Sequence, residues 1–399
     1  MTKERRILVS ASLFHALNDS AGVAVPLMFP ILLGSGSMIR NYSQIGLLSN
    51  FGLLATFVFQ VLIVHAARRL DYRTMLGASF VGLVGSMALI PLSTSYAGLF
   101  ALYVFFRVFD SFYHTIGLAW VSRTHPSEGI DFAMGVQSGS GNLGVLVAFV
   151  AVGSIAQRAG WQTGLLVWAA VCFGLGLVSL ALVRGIAFQV DEDTEGLEPA
   201  SWFRTIRLIR RHVPGLVFGG ASWSVTVYFA PSLLNRKFSV PMTRTGLYLA
   251  IWIGLGTVTT YLFGRLSCAF GRSRVMMAGL AAASLSLFVV GLAGRPALAV
   301  SGLFIFGISL FLIYPALQSC VGNAVSSGSQ PQAFSVASNL QMIAGALVSL
   351  VSGFLSDRCG VNAPFVLVGG LGVLALVLSA ADRGVGRKAT RRPGLPGAE

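Results

Sequence analysis

Apolar residues fill this chain in long runs that short polar segments separate. An α-helix needs about 17 to 25 apolar residues to cross the roughly 30 Å of hydrocarbon in a bilayer. Twelve such runs occur, and they predict twelve membrane-spanning helices, called spans 1 to 12 below. Their approximate limits are 8–33, 43–66, 74–94, 97–122, 132–157, 161–184, 212–236, 243–266, 274–292, 298–322, 333–357 and 362–381.

Composition also points to a membrane protein. Hydrophobic residues make up 55% of the 399 residues and charged residues 11%, whereas about one quarter of the residues are charged in soluble domains. The mean hydropathy is +0.77. The first run follows MTKERR, but it is too long for a signal peptide, contains His15, Asn18 and Asp19, and lacks a small-residue cleavage site. We therefore predict an all-α integral membrane protein in which this run is span 1.

The positions of Lys and Arg predict the orientation. If both termini are cytoplasmic, 20 of the 28 basic residues lie on the cytoplasmic side, seven lie outside, and Arg107 alone lies within a span. Cytoplasmic segments retain basic residues, so we expect this topology in the cell membrane. It accounts for the net charge of +14 without a nucleic-acid partner, and it allows attraction to anionic lipids of the bilayer.

Several kinds of chemistry have no motif in this chain. The four cysteines are scattered without a paired spacing, so neither a disulfide framework nor a metal cluster is predicted. A phosphate loop, a metalloprotease motif and a serine elbow are also lacking. We predict no enzymatic activity, no resident metal and no cofactor other than a proton gradient. The cysteines, taken as packing residues, are Cys172, Cys268, Cys320 and Cys359.

Two short motifs recur at an offset of 200 residues. SQIGLL (43–48) aligns with TRTGLY (243–248), and GSIAQRAG (153–160) aligns with GFLSDRCG (353–360). Such self-similarity indicates an internal duplication. The chain is therefore expected to contain two six-helix halves.

The predicted domains follow from this repeat. The halves cover 1–184 and 212–381, a linker covers 185–211, and a basic cytoplasmic tail covers 382–399. The linker contains an acidic stretch, DEDTEGLE, and then a basic, helix-compatible stretch, FRTIRLIRRH. We expect the basic stretch to lie along the membrane surface, and a regulatory role is the alternative.

Two parallel six-helix halves with a central cytoplasmic linker resemble the major facilitator superfamily, which implies that fold. Its loop signature, Gly-x-x-x-Asp-Arg-x-Gly-Arg-x-Arg, is partly kept after span 8 in GRLSCAFGRSR (264–274), where Cys268 and Ala269 replace Asp-Arg. GFLSDRCG, with Asp357 and Arg358, is the best local copy of Asp-Arg. The resemblance implies a cytoplasmic gate, although its arginines can also reflect topology alone. The candidate gate residues are Arg69, Arg73, Gly264, Gly271, Arg272 and Arg274.

A closer resemblance involves spans 1, 4 and 5. HALNDSAGVAVPLMFPIL (15–32), YHTIG (113–117) and SGNLG (140–144) are similar to motifs of the fosmidomycin-resistance-type efflux proteins. Thr115 replaces a proline of that group, and Ala148-Phe149 replaces the Gly-Pro of antiporters. The resemblance implies efflux of a small molecule, and it does not specify which one.

Five ionisable residues fall near the centres of spans 1 and 4. Asp19 and His15 lie in span 1, and Arg107, Asp110 and His114 lie in span 4, with each histidine one turn to the cytoplasmic side of its aspartate. A charge at a span centre costs about 2.5 to 3.5 kcal/mol, so such residues usually face the interior and serve function.

These residues suit proton coupling because histidine titrates near neutral pH. We expect Asp19 and Asp110 to be proton or cation sites, His15 and His114 to be relays, and Arg107 to be the counter-ion of Asp110. The alternatives are a structural Arg107–Asp110 pair, a packing role for His15, and a metal site.

The C-terminal half has no central charge in its spans but offers aromatic and neutral polar side chains. A mostly apolar pocket with a few polar groups suits an amphipathic small molecule. The candidate substrate-binding residues are Asn18, Trp223, Tyr228, Trp252, Tyr261, Tyr314, Gln318, Asn339 and Gln341.

The sequence thus predicts a monomeric, proton-coupled secondary transporter that exports a small organic molecule by alternating access. Import of a metabolite or a metal chelate such as a siderophore, in symport with protons, is the first alternative. A lipid flippase or a non-transporting sensor is an alternative of another class.

Overall fold

A computed structural model describes residues 1–36, 38–66, 71–125, 130–186, 199–325 and 330–389. Over these residues the secondary structure is helical, with short connections. The α-helices are α1 (Lys3–Ser35), α2 (Tyr42–Ala66), α3 (Tyr72–Leu89), α4 (Tyr96–Thr124), α5 (Ile130–Ala159), α6 (Trp161–Leu182), α7 (Pro199–Ile209), α8 (Val213–Ser232), α9 (Met242–Phe270), α10 (Arg272–Leu292), α11 (Pro296–Asn323), α12 (Gln330–Cys359) and α13 (Ala363–Ala389).

Helix ends extend beyond the apolar runs at both ends of the chain. The helix α1 begins at Lys3, where the Thr2 side chain accepts a hydrogen bond from the Arg5 backbone N–H at 3.3 Å. The helix α13 continues to Ala389, past the limit of 381 predicted for span 12 and into the predicted tail. An apolar run ends where charges begin, but backbone hydrogen bonding continues until a cap or a breaker stops it.

Eleven helices within the described ranges are long and apolar enough to cross a membrane. The 29-residue α4, which carries Arg107, Asp110 and His114, packs among them against α1, α2 and α3. Large apolar side chains such as Val81 and Leu285 remain exposed on the bundle surface, as a lipid-facing surface requires. The eleven helices and α4 together make twelve, so the predicted all-α, twelve-span architecture is confirmed.

The two halves meet along α2 with α12 and along α5 with α9. At the first contact, a Cβ built on Gly46 would lie 3.0 Å from the Gly353 Cα, and at the second, a Cβ on Gly153 would lie 3.3 Å from the Gly246 Cα. These glycines belong to the motifs that recur at an offset of 200 residues. Small residues allow such close helix packing. SQIGLL therefore packs against GFLSDRCG, and TRTGLY packs against GSIAQRAG, so the two contacts are equivalent by the repeat.

Each half also caps a helix of the other half. The Asp357 carboxylate accepts hydrogen bonds from the backbone N–H groups of Tyr42 at 2.7 Å and Ser43 at 2.9 Å, and from the Ser43 hydroxyl. At the equivalent place, the Gln157 side-chain oxygen accepts from the Met242 backbone N–H at 2.8 Å. A carboxylate stabilises a helix N-terminus through unpaired N–H groups and the helix dipole. The helices α2 and α9 are thus capped across the interface.

These contacts lie at one end of the bundle. We call the end that carries the start of α1 the terminal face, and the opposite end the remote face. The helices α2 and α9 begin at the remote face, where Tyr103 and Tyr228 also share a hydrogen bond of 2.9 Å. Asn50 donates to the Ala346 carbonyl at 3.0 Å in the same region. The halves are therefore closed together at the remote face.

Substituting Gly353 by alanine should destabilise the closed interface. Its Cβ would lie 2.7 Å from the Tyr42 carbonyl oxygen and 2.9 Å from the Gly46 Cα, and overpacking of this kind costs about 1–3 kcal/mol. Gly370→Ala is the matched control because nothing lies within 4 Å of its Cβ. We expect a lower melting temperature in detergent for Gly353→Ala alone. Equal melting temperatures would contradict the close packing.

Candidate functional site

The centre of α1 places a histidine and a carboxylate on one face. Asp19 is the seventeenth of the 33 residues of α1, and His15 lies one turn before it, so both side chains point to the same side. The His15 Nε2 is 3.0 Å from Asp19 Oδ2. The pair faces α4 and α5, both of which contact α1.

Two contacts from neighbouring helices orient the His15 ring. Its Nδ1 lies 2.8 Å from the Gln137 carbonyl oxygen on α5, and its face stacks on Tyr113 of α4 at 4.8 Å between centroids. The Gln137 side chain in turn donates to the Tyr113 hydroxyl at 2.6 Å. A carbonyl oxygen only accepts hydrogen bonds, so the Nδ1 of His15 carries a proton.

This tautomer determines what lies between His15 and Asp19. In a neutral ring protonated at Nδ1, Nε2 is an acceptor, and Asp19 Oδ2 is an acceptor whenever the carboxyl group is ionised. Their separation of 3.0 Å therefore requires one proton between them. The pair is either imidazolium with carboxylate or imidazole with carboxylic acid, and both forms hold the same number of protons.

The second histidine also contacts Asp19. The His114 Nε2 lies 3.3 Å from Asp19 Oδ1, and the two side chains are 38% and 22% exposed. His114 thus contacts the aspartate of α1, because α4 approaches α1 closely enough for its side chain to reach across. Asp19 receives both imidazoles.

The same three residues meet the spacing of a metal site. Ligand atoms of His15, Asp19 and His114 lie within 4.8 Å of one another. A bound metal would use the imidazole lone pair and the carboxylate that a shared proton occupies, so the two occupants exclude each other. Metal binding stays the alternative for this cluster.

The second aspartate, Asp110, forms a buried ion pair. Asp110 Oδ2 lies 2.7 Å from Arg107 Nη1, and both residues are buried. Asn18 donates from its side-chain nitrogen to Asp110 Oδ1 at 3.1 Å, and Thr56 donates to the Arg107 carbonyl at 3.1 Å. The predicted counter-ion pairing is present, and Asn18, a predicted substrate ligand, is turned toward Asp110. The structure thus gives the two aspartates different surroundings.

Some predicted substrate residues of the second half are enclosed by packing. Trp252 is fully buried and lies 5.5 Å from Trp223 between ring centroids. Tyr228 is buried against Tyr103, and Asn339 is also buried.

The remaining candidates are more accessible. The Tyr314 hydroxyl donates to the Gly219 carbonyl at 3.0 Å, and its side chain is partly buried. Tyr261 is 69% exposed, and its hydroxyl lies 2.7 Å from the position of a Cβ on Gly139 of the other half. Gln318 is exposed and Gln341 is half-buried. None of the contacts described above joins these side chains to the ionisable cluster.

The predicted cytoplasmic gate forms no ion pair in the part of the chain that the structure describes. Arg69 lies outside the described residues, and Arg73, Arg272 and Arg274 have no carboxylate partner among them. Gly264 has open space around it, and Gly271 ends α9 with φ of 84°. The Asp-Arg copy instead places Asp357 at the remote face, as a cap between the halves.

Three residues that contribute to the cluster or to the interface caps could not be identified from residue type alone. Gln137 acts through its main-chain carbonyl, which no residue pattern reveals, and its side chain is buried. Tyr113 belongs to the motif YHTIG, so the sequence held a signal for it. The cap by Gln157 was visible only as one copy of a repeat whose other copy carries Asp357.

Two six-helix halves, closed at one face around a central ionisable cluster, define a polytopic membrane transporter. The sequence matches the family described as Major Facilitator Superfamily over residues 8–349, with a second match over 213–394. The chain belongs to this family. The family and its structural neighbours are transporters, which confirms that the protein is not an enzyme.

Solved transporters share the fold. A bacterial homolog of the human lysosomal transporter Spinster, inward-facing and occupied, matches with a TM-score of 0.80 at 15% identity over 96% of this chain and 97% of that one. The D-xylose-proton symporter gives 0.79 at 16% identity over 95% and 97%. The nucleoside transporter NupG gives 0.74 at 15% identity over 96% and 99%. No curated protein sequence gives a significant match.

Breaking the buried ion pair should be more harmful than removing it. Arg107→Met leaves Asp110 as an unpaired buried charge, and we expect a loss of about 3–5 kcal/mol in unfolding free energy. The double variant Arg107→Met/Asp110→Asn should recover most of that loss. Denaturation in detergent measures both, with Arg123→Met, an exposed site on the same helix, as control. A double variant as unstable as the single one would contradict a closed pair.

Proposed function

We propose that this chain is a proton-coupled secondary active transporter of the cell membrane that exports a small organic molecule by alternating access. The observation that carries the proposal is the cluster of Asp19 with His15 and His114 at the centre of the first half. The excess of basic residues on the terminal face supports placing that face in the cytoplasm.

The contact between His15 and Asp19 depends on its proton. With Nδ1 committed to the Gln137 carbonyl, loss of the shared proton leaves a lone pair on Nε2 facing a carboxylate at 3.0 Å. Two acceptors at that distance repel each other, so the pair must separate or take up another donor or cation. Proton release is thereby coupled to the packing of α1 against α4 and α5.

The net charge of the ionisable cluster determines whether the site can be closed off from water. The protonated cluster is neutral and can be occluded, whereas the deprotonated cluster cannot. Arg107 and Asp110 neutralise each other, and Asp19 with one protonated imidazole is also neutral. After proton release the cluster carries a net negative charge, which is costly away from water. A cationic substrate would restore neutrality, and exchange of a proton for such a substrate follows from this alternation.

The closure of one face supports alternating access. The caps by Asp357 and Gln157 and the pair of Tyr103 with Tyr228 hold the halves together at the remote face. Asp19 and His114 nevertheless keep some exposure, which is consistent with access from the terminal face. In the alternate state the caps must part, so they act as the gate of the remote face.

Two features bear on the direction of transport. The likeness of spans 1, 4 and 5 to the fosmidomycin-resistance-type proteins favours export. The replacement of Gly-Pro by Ala148-Phe149 favours proton symport as the second candidate, and a proton symporter is among the transporters of similar fold. Both mechanisms use the same proton site.

Neutralising Asp19 should abolish coupling to the proton gradient. We expect Asp19→Asn in proteoliposomes to lose transport driven by a pH gradient while retaining downhill exchange, since the shared proton has no carboxylate. Glu4→Gln, at the exposed start of α1, is the control. A set of fluorescent organic cations provides the probes, and pyranine in the lumen reports protons. Full gradient-driven transport in Asp19→Asn would overturn the proposal, and movement of probe along with protons would replace export by symport.

Removing the cross-half cap should open the remote face. Asp357→Ala removes a capping carboxylate, a loss of about 0.5–2 kcal/mol, and Gln157→Ala should have a smaller effect because an amide carries no charge. Spin labels at Arg40 and Arg358, both exposed at that face, measure the distance between the halves. We expect a larger population of long distances in Asp357→Ala. An unchanged distance distribution would show that the cap does not serve as a gate.

A further inference from the structure

The helix α7 is amphipathic in an unusual way. Ile209 and Thr205 are buried against the bundle, while Phe203 and Leu208 are exposed at 76% and 52%. Its remaining face is basic, and the basic character continues through the 3₁₀ turn Arg210–His212 that leads into α8. The helix therefore presents apolar and cationic side chains together at the terminal face.

A cavity of about 690 Å³ lies beside the end of α7. Its walls come from the junction of α7 with α8, the start of α10 and the end of α11. Four arginines and a histidine line it, and no carboxylate is among the described residues that line it. The cationic residues are Arg207, Arg210, Arg211, His212 and Arg272.

Three of these five cationic residues have no carboxylate partner among the described residues. Arg207, Arg210 and Arg272 form no ion pair within the described ranges. The Arg272 Nε is buried and has no hydrogen-bond partner among the described residues. A buried donor on a charged group is costly without an acceptor, so the cavity is suited to a ligand that accepts hydrogen bonds and carries negative charge.

Two helix N-termini add to the positive electrostatic potential of the cavity. The helix α10 begins at Arg272, and α8 begins next to His212, and neither has a side-chain cap. Unpaired N–H groups at helix N-termini favour anions. The first residue of α10 and the N-cap residue of α8 both line the cavity.

We propose that this cavity binds a phosphate-bearing anion. Guanidinium groups match phosphate oxygens bidentately, and the volume suits a small phosphate ester. Two sources share this chemistry, the headgroup of an anionic phospholipid and a soluble phosphate ester. The exposed Phe203 and Leu208 beside the cavity favour the lipid, because they can lie among acyl chains. The site is independent of the proton cluster.

Binding assays on the full-length purified protein test the site. The probes are dihexanoyl-phosphatidylglycerol, glycerol 3-phosphate and, as a neutral comparison, dihexanoyl-phosphatidylcholine, measured by native mass spectrometry and calorimetry. We expect saturable binding of at least one of the two anions, weakened about tenfold or more in Arg272→Gln and in Arg207→Gln. Arg272→Lys should restore only part of the affinity, because lysine lacks the bidentate geometry.

Matched controls distinguish a site from general surface charge. Arg204→Gln and Arg265→Gln remove the same charge from exposed arginines near the terminal face that do not line the cavity, and they should leave the affinity unchanged. Tighter binding of the lipid identifies a headgroup site, and tighter binding of glycerol 3-phosphate identifies a soluble ligand. Equal losses in control and cavity variants, binding of phosphatidylcholine as tight as that of the anions, or no saturable binding would overturn the proposal. Melting temperatures of all variants verify that each one folds.

Discussion

Charge in the interior of a membrane bundle must be neutralised, and this constraint governs the first half of the protein. Arg107 and Asp110 satisfy it permanently, with Asn18 donating to the carboxylate. Asp19 satisfies it conditionally, through a proton shared with His15 and a second imidazole from His114. The helices α1, α4 and α5 thus meet around the Asp19 carboxylate, which both imidazoles contact.

The internal duplication provides the contacts that hold the two halves together at the remote face. Glycines of one copy of the repeat admit the backbone of the other half, as Gly46 does for Gly353. The polar residue of each copy, Asp357 or Gln157, caps the helix that begins opposite it. One cap carries a full charge and the other does not, so the two pseudo-symmetric contacts differ electrostatically. The arginines that follow the linker's acidic stretch lie at the opposite end of the bundle, the terminal face.

The extent to which the site was predictable depends on where each contact lies in the chain. The pairings of His15 with Asp19 and of Arg107 with Asp110 join residues one turn apart on one helix, so helical spacing predicts them. The contacts of His114 with Asp19 and of Gln137 with His15 join different helices. Their geometry depends on how α1, α4 and α5 approach one another, which residue spacing does not encode.

The sequence by itself determined the twelve spans, the two halves and the presence of two aspartates at mid-depth, because hydropathy, duplication and helical rise can be read along the chain without knowing how helices pack. It placed ionisable residues within spans 1 and 4 and identified GFLSDRCG as the best local copy of the Asp-Arg motif. Only the tertiary structure decided that Asp19 contacts both histidines, that Asp110 is buried with Arg107, and that Asp357 caps α2 at the remote face. Those outcomes depend on distances between helices that are far apart in sequence, and side-chain packing alone sets such distances.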